Sequence, residues 1–116
     1  MGEDMKNTVL VITQEGMGSG PPDLQLRLLS VYLKLLLDNG LRPGGICFYT
    51  NGVKLLIEGS PVLELLKSLE SEGVHVIACK TCLDYFNIGE KVQVGLIGGM
   101  GDIQAAMAMA TKVISL

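Results

Sequence analysis

Two cysteines lie three residues apart in HVIACKTCLDYF, residues 75–86, where an apolar run gives way to a more polar, helix-like one. The apolar run predicts a buried strand that ends at Cys79, and ligands of parallel α/β sheets bind where strands end and helices begin. Lys80 and the start of the next helix would both favour a thiolate at Cys79. Because the thiolate is the nucleophilic form, we expect a reactive cysteine here, with Cys82 beside it. The alternative is a pair of small buried residues that only pack.

Metal and redox-motif interpretations are weaker. A zinc site usually has four ligands, and beyond the pair the chain has only Cys47, inside a predicted strand, and one histidine, His75. A thioredoxin-like site places its Cys-x-x-Cys after the first strand of its core unit, whereas this pair follows the third. We therefore expect no metal and no cofactor.

Loops from other strands are expected to reach the same edge of the sheet. The first strand is followed by a glycine-rich loop with Glu15, Gly16 and Gly18, and Asn51 begins the turn after the second strand. A phosphate-binding GxGxxG pattern is incomplete, because position 21 is proline, and the lysine of a P-loop is missing. A flexible or interface loop is the default interpretation, with an anion-binding backbone nest as the alternative.

The residues around Cys82 have possible supporting roles. Thr81 is predicted to cap a short helix that starts around Cys82. Asp84 lies in the following turn, where its carboxylate either orients a thiol or faces solvent.

Strand-like and helix-like segments alternate along the whole chain. The predicted strands are 8–13, 45–50, 74–78, 92–97 and 112–116. The predicted helices are 22–39, a second from Ser60-Pro61 to Glu72, and a third opened by 98–102, with Asp102 as N-cap, and running through Ala110. Connections of helical length between buried strands predict an α/β fold, a three-layer α/β/α sandwich with a mainly parallel five-stranded sheet.

Composition limits the classes of function. The 116 residues form one expected domain, 1–116, with 1–6 as a flexible leader. The net charge is -3 and the nine Lys and Arg are scattered, which argues against nucleic acid as a partner. No apolar run reaches the ~18 residues of a membrane helix, and the polar start is not a signal peptide. Three cysteines without an export signal predict reduced thiols in the cytoplasm.

The long helix at 22–39 predicts self-association. Its polar residues recur every three or four positions and form one narrow stripe: Asp23, Arg27, Ser30, Lys34 and Asp38. Nearly every other residue is apolar, which is more than the ~100° apolar stripe that an outer helix of a small sheet requires. We expect this surplus apolar surface to pack against a second copy of the chain in a homo-oligomer. The alternative is that other helices of the same chain cover it.

Three stretches resemble the DsrE/DsrF-like family: VLVITQEGMGSG, FYTNGVKLLIEGSPVLELLKSLESEGV and ACKTCLDYF. The resemblance covers about residues 7–116 and is greatest to the DsrE-type domain of YedF-type selenium-metabolism proteins. It implies a compact α/β domain that forms homo-oligomers. It also implies a sulfur carrier whose persulfide lies on the cysteine after the third strand, here Cys79. Cys82 belongs to the YedF-type pattern alone and would resolve or shuttle the sulfur.

The resemblance also sets expectations for partners. Other proteins would donate and accept the sulfur, with TusA-like proteins as candidates, and selenium is the alternative cargo. A TusA-like domain precedes the YedF-type domain but is not part of this sequence. The starting Met and acidic leader predict a standalone chain, and one domain of a longer protein is the alternative. The alternative function is an oligomeric binding or regulatory module of the same fold that lacks sulfurtransferase activity.

Overall fold

A computed structural model describes residues 4–116. Five parallel strands form one sheet: β1 Thr8–Ile12, β2 Gly45–Phe48, β3 His75–Cys79, β4 Leu96–Gly98 and β5 Lys112–Ser115. Their order across the sheet is β4-β3-β2-β1-β5. The helices are α1 Pro22–Asp38, α2 Leu63–Ser71, α3 Lys80–Phe86 and α4 Met100–Met109, with 3₁₀ helices at Thr50–Leu56 and Gly89–Lys91. The predicted parallel five-stranded α/β fold is confirmed.

The connections explain the layers. From β1 to β4 the chain moves one position at a time in one direction, so right-handed crossovers place α1, α2 and α3 on one face of the sheet. The chain then returns from β4 at one edge to β5 at the other, and the same rule places α4 on the opposite face. Packing agrees, since α1 contacts α2 while α4 contacts β3 and β4. The result is three layers, with three helices on one face and one on the other.

The core is aliphatic, as a sequence with two Phe and no Trp requires. All residues of β1 and β2 are buried, because helices cover both sides of these inner strands. Phe48 is the one aromatic side chain among the fully buried residues described, and Leu29 and Leu33 of α1 pack in the same core. Burying each such side chain contributes roughly 1.5–3 kcal/mol to stability.

The predicted start of α2 and the predicted strand at 92–97 are wrong. Helix α2 begins at Leu63 and not at Ser60-Pro61, because the fully buried Val62 takes the N-cap position. The segment at 92–97 is mostly not a strand, since Val92 pairs antiparallel with Ile57 outside the sheet and β4 begins only at Leu96.

The start of α4 also differs from the prediction. Gly99, and not Asp102, is the N-cap residue. Asp102 lies three residues further on, where its Oδ2 accepts a hydrogen bond of 2.9 Å from the Gly99 N–H. The carboxylate therefore still satisfies a free amide at the helix start.

The leader expected at 1–6 falls partly outside the described residues, which exclude 1–3. Within the remainder, the Met5 carbonyl accepts hydrogen bonds from the N–H groups of Thr8 and Gly44, at 2.8 and 3.0 Å, and Met5 packs against the core. In the described part of the chain no helix has the length and apolarity needed to cross a membrane.

The loop between β1 and α1 is fixed to α1 through Gln25. The Gln25 side-chain amide donates to Gln14 Oε1 and to the Gly18 carbonyl, both at 2.6 Å, and the Met17 N–H donates to the Gln25 carbonyl at 2.9 Å. A Cβ atom at Gly16 would lie 2.5 Å from the Gln25 backbone carbon. Gly16 is thus required by close approach to the helix.

We predict that Gly16→Ala lowers the free energy of unfolding by about 1–3 kcal/mol, because the added methyl group meets helix backbone. Gly20→Ala is the matched control in the same loop, since a Cβ there meets no atom within 4 Å. Urea unfolding followed by circular dichroism measures both. Equal stability of the two variants would contradict this packing.

Candidate functional site

Cys79 and Cys82 lie at the junction of β3 and α3. Cys79 is both the last residue of β3 and the N-cap residue of α3, with extended backbone at φ -71° and ψ 116°. The helix begins at Lys80, so Thr81 lies within its first turn; the prediction that Thr81 caps a helix starting around Cys82 is wrong. The chain turns into the helix earlier than predicted, and this places Cys82 one turn beyond Cys79 on the same side of α3.

The position of β3 in the sheet makes this junction a crevice. Cys79 pairs in register with Gly98, the last residue of β4. After β3 the chain passes to the face of α3, and after β4 it passes to the opposite face, so the two connections diverge. Crevices of this kind, at the carboxyl ends of adjacent strands whose connections leave to opposite faces, are the usual ligand sites of open α/β sheets.

The three cysteines differ in how far solvent reaches them, and all three are free thiols. Cys79 is 1% exposed and Cys47, in the middle of β2, is fully buried. Cys82 is partly exposed. Of the pair, only the Cys82 side chain is directly open to a molecule that approaches from solvent.

A backbone amide points at the Cys82 sulfur. The Thr50 N–H donates a hydrogen bond of 3.0 Å to Cys82 Sγ, across 32 residues of sequence. Thr50 has φ +52°, in the left-handed region that β-branched residues rarely adopt. Such backbone costs of order 1–3 kcal/mol and clusters at functional sites. Here it aims the first amide of the 3₁₀ helix Thr50–Leu56 at a thiol.

The two thiols of the pair interact. Burial raises the pKa of the Cys82 thiol, the hydrogen bond with Cys79 raises it further, and the Thr50 N–H acts in the opposite direction. Negative charge on Cys79 would also raise the pKa of Cys82, since two adjacent thiolates repel. Loss of one proton from the pair therefore opposes loss of the second.

Lys80 and Asp84 pair with each other on the outer side of α3. Their Nζ and Oδ2 atoms are 2.8 Å apart, and both side chains are nearly two-thirds exposed. An exposed pair of this kind stabilises a helix by a few tenths of a kcal/mol. Both residues therefore flank the site as a solvent-facing ion pair, in which Lys80 Nζ donates a hydrogen bond to Asp84 Oδ2.

One turn beyond Cys82 on α3 lies Phe86, which forms the wall of an open groove of about 440 Å³. Lys54 Nζ lies 4.2 Å from the centre of the Phe86 ring, a cation–π contact, and 3.9 Å from Glu15 Oε2. Glu58 lines the same groove. The loop after β1, the 3₁₀ helix after β2 and α3 thus meet beside the thiols.

The structure brings some predicted site residues together and separates others. Glu15 reaches the groove through Lys54, and Asn51 directly follows Thr50 but is exposed. Gly16 and Gly18 contact Gln25 of α1, so their role is to pack the loop against that helix.

Sequence reasoning missed the contributions of Thr50, Lys54 and Phe86. The Asn51-Gly52 turn signalled a sharp bend after β2, and it was the available signal for Thr50. Nothing in the local sequence marks Lys54 or Phe86, since their contact joins two separate segments.

Among residues 4–116, no three His, Cys, Asp or Glu side chains come close enough together to hold a metal ion. His75, the first residue of β3, is exposed and lies at the opposite end of the strand from Cys79.

Solved structures with a similar fold cover almost the whole chain. The ychN protein from E. coli has a TM-score of 0.71 at 20% identity, over 98% of this chain and 100% of that one. A protein of unknown function from Methanobacterium thermoautotrophicum, MTH1491, has a TM-score of 0.70 at 20% identity, covering 94% and 97%. A conserved protein of unknown function from Bacteroides thetaiotaomicron, BT1422, has a TM-score of 0.68 at 16% identity, covering 95% of each chain.

These structures share the fold of this chain, and at 16–20% sequence identity the likeness shows the fold alone. No curated protein matches the sequence. The model of the DsrE/DsrF-like family matches residues 17–116. With the fold and the family model in agreement over most of its length, the chain belongs to the DsrE/DsrF-like family.

Proposed function

We propose that this protein carries sulfur as a persulfide on the Cys79–Cys82 pair in a sulfur relay. The observation that carries the proposal is a pair of interacting free thiols in the crevice between β3 and β4, one of them open to solvent and held by a backbone N–H. Membership of the DsrE/DsrF-like family supports it, since sulfur carriers of this family hold a persulfide after the third strand. Reduced thiols fit a cytoplasmic location.

The exchange needs no cofactor. A thiolate of the pair attacks the outer sulfur of a donor persulfide R–S–SH, the S–S bond of the donor breaks, and R–S⁻ leaves. The reverse reaction passes the sulfur to an acceptor thiol. A selenium atom in the outer position would follow the same exchange, and the YedF-type resemblance makes it the alternative cargo.

The groove beside the pair suits a protein donor or acceptor. It lies within one helical turn of Cys82, its walls are largely apolar, and Glu58 and Glu15 contribute carboxylates. Lys54 is already engaged by Glu15 and Phe86, so Glu58 remains as the acidic group that a basic residue of a partner would meet. TusA-like proteins are the proposed partners on the strength of the family resemblance.

The same groove favours a second candidate function. Its volume of about 440 Å³ is within the range of small-ligand pockets, so an oligomeric binding or regulatory module is the alternative. Such a module has no use for accessible thiols. Sulfur transfer therefore separates the two candidates.

Self-association is also proposed. Leu24, Leu28, Val31 and Leu35 of α1 are each about half exposed, and they recur at intervals of four, three and four residues. This is the spacing of a helix-pairing seam. A second copy of the chain is the occupant we propose, because it presents the same seam and needs no other partner.

The first prediction concerns sulfur uptake. A variant with both Cys79→Ser and Cys82→Ser should lose at least about tenfold in the rate at which it removes the outer sulfur of glutathione persulfide, since both nucleophiles are gone. Mass spectrometry of the alkylated donor measures the rate. Cys47→Ser is the matched control and should react as the wild type does, because Cys47 is fully buried within the sheet. A double variant as fast as wild type would remove the carrier proposal.

The second prediction concerns pH. Because burial raises the pKa of Cys82, its thiol stays protonated to higher pH in the folded protein than in the unfolded chain. Native Cys82 should therefore react more slowly with iodoacetamide at pH 7 than the same residue in urea. The pH at which its alkylation rate is half-maximal should also be higher in the native protein than in urea. Peptide mapping after timed alkylation measures both. A half-maximal alkylation rate at lower pH in the native protein than in urea would contradict the effect of burial.

The third prediction concerns the α1 seam. Leu28→Glu and Val31→Glu should each shift the protein toward monomer, since a carboxylate would be buried in the contact. Lys67→Glu on an exposed site of α2 is the control and should leave assembly unchanged. Size-exclusion chromatography with light scattering measures mass, and a wild type that stays monomeric at all concentrations would overturn the proposal.

A further inference from the structure

We propose that the pair also reduces persulfides: Cys82 accepts the outer sulfur, and Cys79 then displaces it as hydrogen sulfide, leaving a Cys79–Cys82 disulfide. This activity rests on the proposed persulfide chemistry. It adds a second fate for the sulfur, release instead of transfer, and it gives the two thiols distinct roles.

Access decides which thiol meets the donor. The donor sulfur must come into line with the attacking sulfur, and Cys79 is 1% exposed at the floor of the crevice. Cys82 is partly exposed and lies on the side of α3 that leads to the groove at Phe86. Cys82 is therefore the entry thiol, and a persulfide on it would place the outer sulfur toward solvent.

Proximity decides what happens next. Cys79 is the N-cap residue of α3 and Cys82 lies in its first turn, and the Cys79 thiol is near enough to contribute to the raised pKa of Cys82. Side chains three residues apart at a helix start have Cβ atoms roughly 5–6 Å apart, and a small backbone adjustment at the N-cap residue brings them to the shorter Cβ separation of a disulfide. Cys79 can thus reach the inner sulfur of a persulfide on Cys82 while it stays out of reach of the donor.

The Thr50 amide acts as a positioning group. Its N–H donates a hydrogen bond of 3.0 Å to Cys82 Sγ from the start of the 3₁₀ helix that follows β2. The left-handed backbone at Thr50 fixes this direction. This hydrogen bond restricts the motion of Cys82 Sγ, which favours attack on it by the neighbouring Cys79 thiol.

The steps balance without an oxidant. In the first step the Cys82 thiolate attacks the outer sulfur of R–S–SH, which forms Cys82–S–SH and releases R–S⁻. In the second the Cys79 thiolate attacks Cys82 Sγ, the S–S bond of the persulfide breaks, and HS⁻ leaves. The two thiols supply the two electrons that reduce the outer sulfur to sulfide, and a dithiol reductant regenerates the pair by exchange.

Cys47 takes no part in this chemistry. It is fully buried in the middle of β2, in register with Ile77, two residues before the end of β3. Cys47→Ser is therefore a suitable background that leaves only the pair to react.

The test is a single turnover under nitrogen with the pre-reduced full chain and one equivalent of glutathione persulfide. The wild type and Cys47→Ser should release close to one sulfide per chain and lose two hydrogens, with the new bond mapped to Cys79 and Cys82. Cys79→Ser should gain one sulfur atom on Cys82, keep it, and release at least tenfold less sulfide. Cys82→Ser should neither gain sulfur nor release sulfide.

Contrary outcomes are distinct. Rapid sulfur uptake by Cys82→Ser, or a wild type that keeps its added sulfur without releasing sulfide, would overturn this inference and leave the carrier proposal standing. Failure of every form to take up sulfur would overturn both. The wild-type sulfide yield and disulfide map need no variant, so they decide the matter even if Cys79→Ser, altered at a buried position, does not fold.

Discussion

The structure depends on one reversal in the order in which its parallel strands are added to the sheet. Four strands are laid down in order from β1 to β4, and the chain then crosses the whole sheet to place β5 beside β1. Because parallel crossovers are right-handed, this return moves α4 to the face that the other helices leave free. The connections after β3 and β4 consequently part, and Cys79 and Gly98 mark the opening between them. If β5 had been added beyond β4, the connections after β3 and β4 would have passed to the same face of the sheet, and no opening would lie between them.

The thiols in that opening are held unequally. One is enclosed by the sheet and by the start of α3, while the other contacts a backbone amide that comes from the end of β2. The enclosed thiol has lost access to solvent, and the open one has a raised pKa that its neighbour helps to set. Two cysteines of the same spacing on an exposed helix would be equivalent. Their difference arises from burial and from one hydrogen bond.

The pair lies beside an open groove. Lys54 ties three segments together, through its charge to Glu15 and through its position over the ring of Phe86. This closes one side of the groove, which Glu58 also lines. Helix α1 also contributes to this groove, since Leu26 lines it, whereas the exposed seam residues Leu24, Leu28, Val31 and Leu35 do not.

The sequence by itself determined the parallel α/β class, the five strands and the placement of a cysteine pair where the third strand turns into a helix, because these follow from local periodicity and turn residues. It misplaced the starts of α2, α3, β4 and α4. Buried Val62 overrode the local capping signal at α2, and the Ile57–Val92 pairing overrode the strand signal before β4. Only the tertiary structure decided the strand order, the burial that distinguishes Cys79 from Cys82, and the amide of Thr50 at the sulfur. These depend on contacts between residues far apart in the chain, 32 residues in the case of Thr50 and Cys82, and no local pattern encodes them.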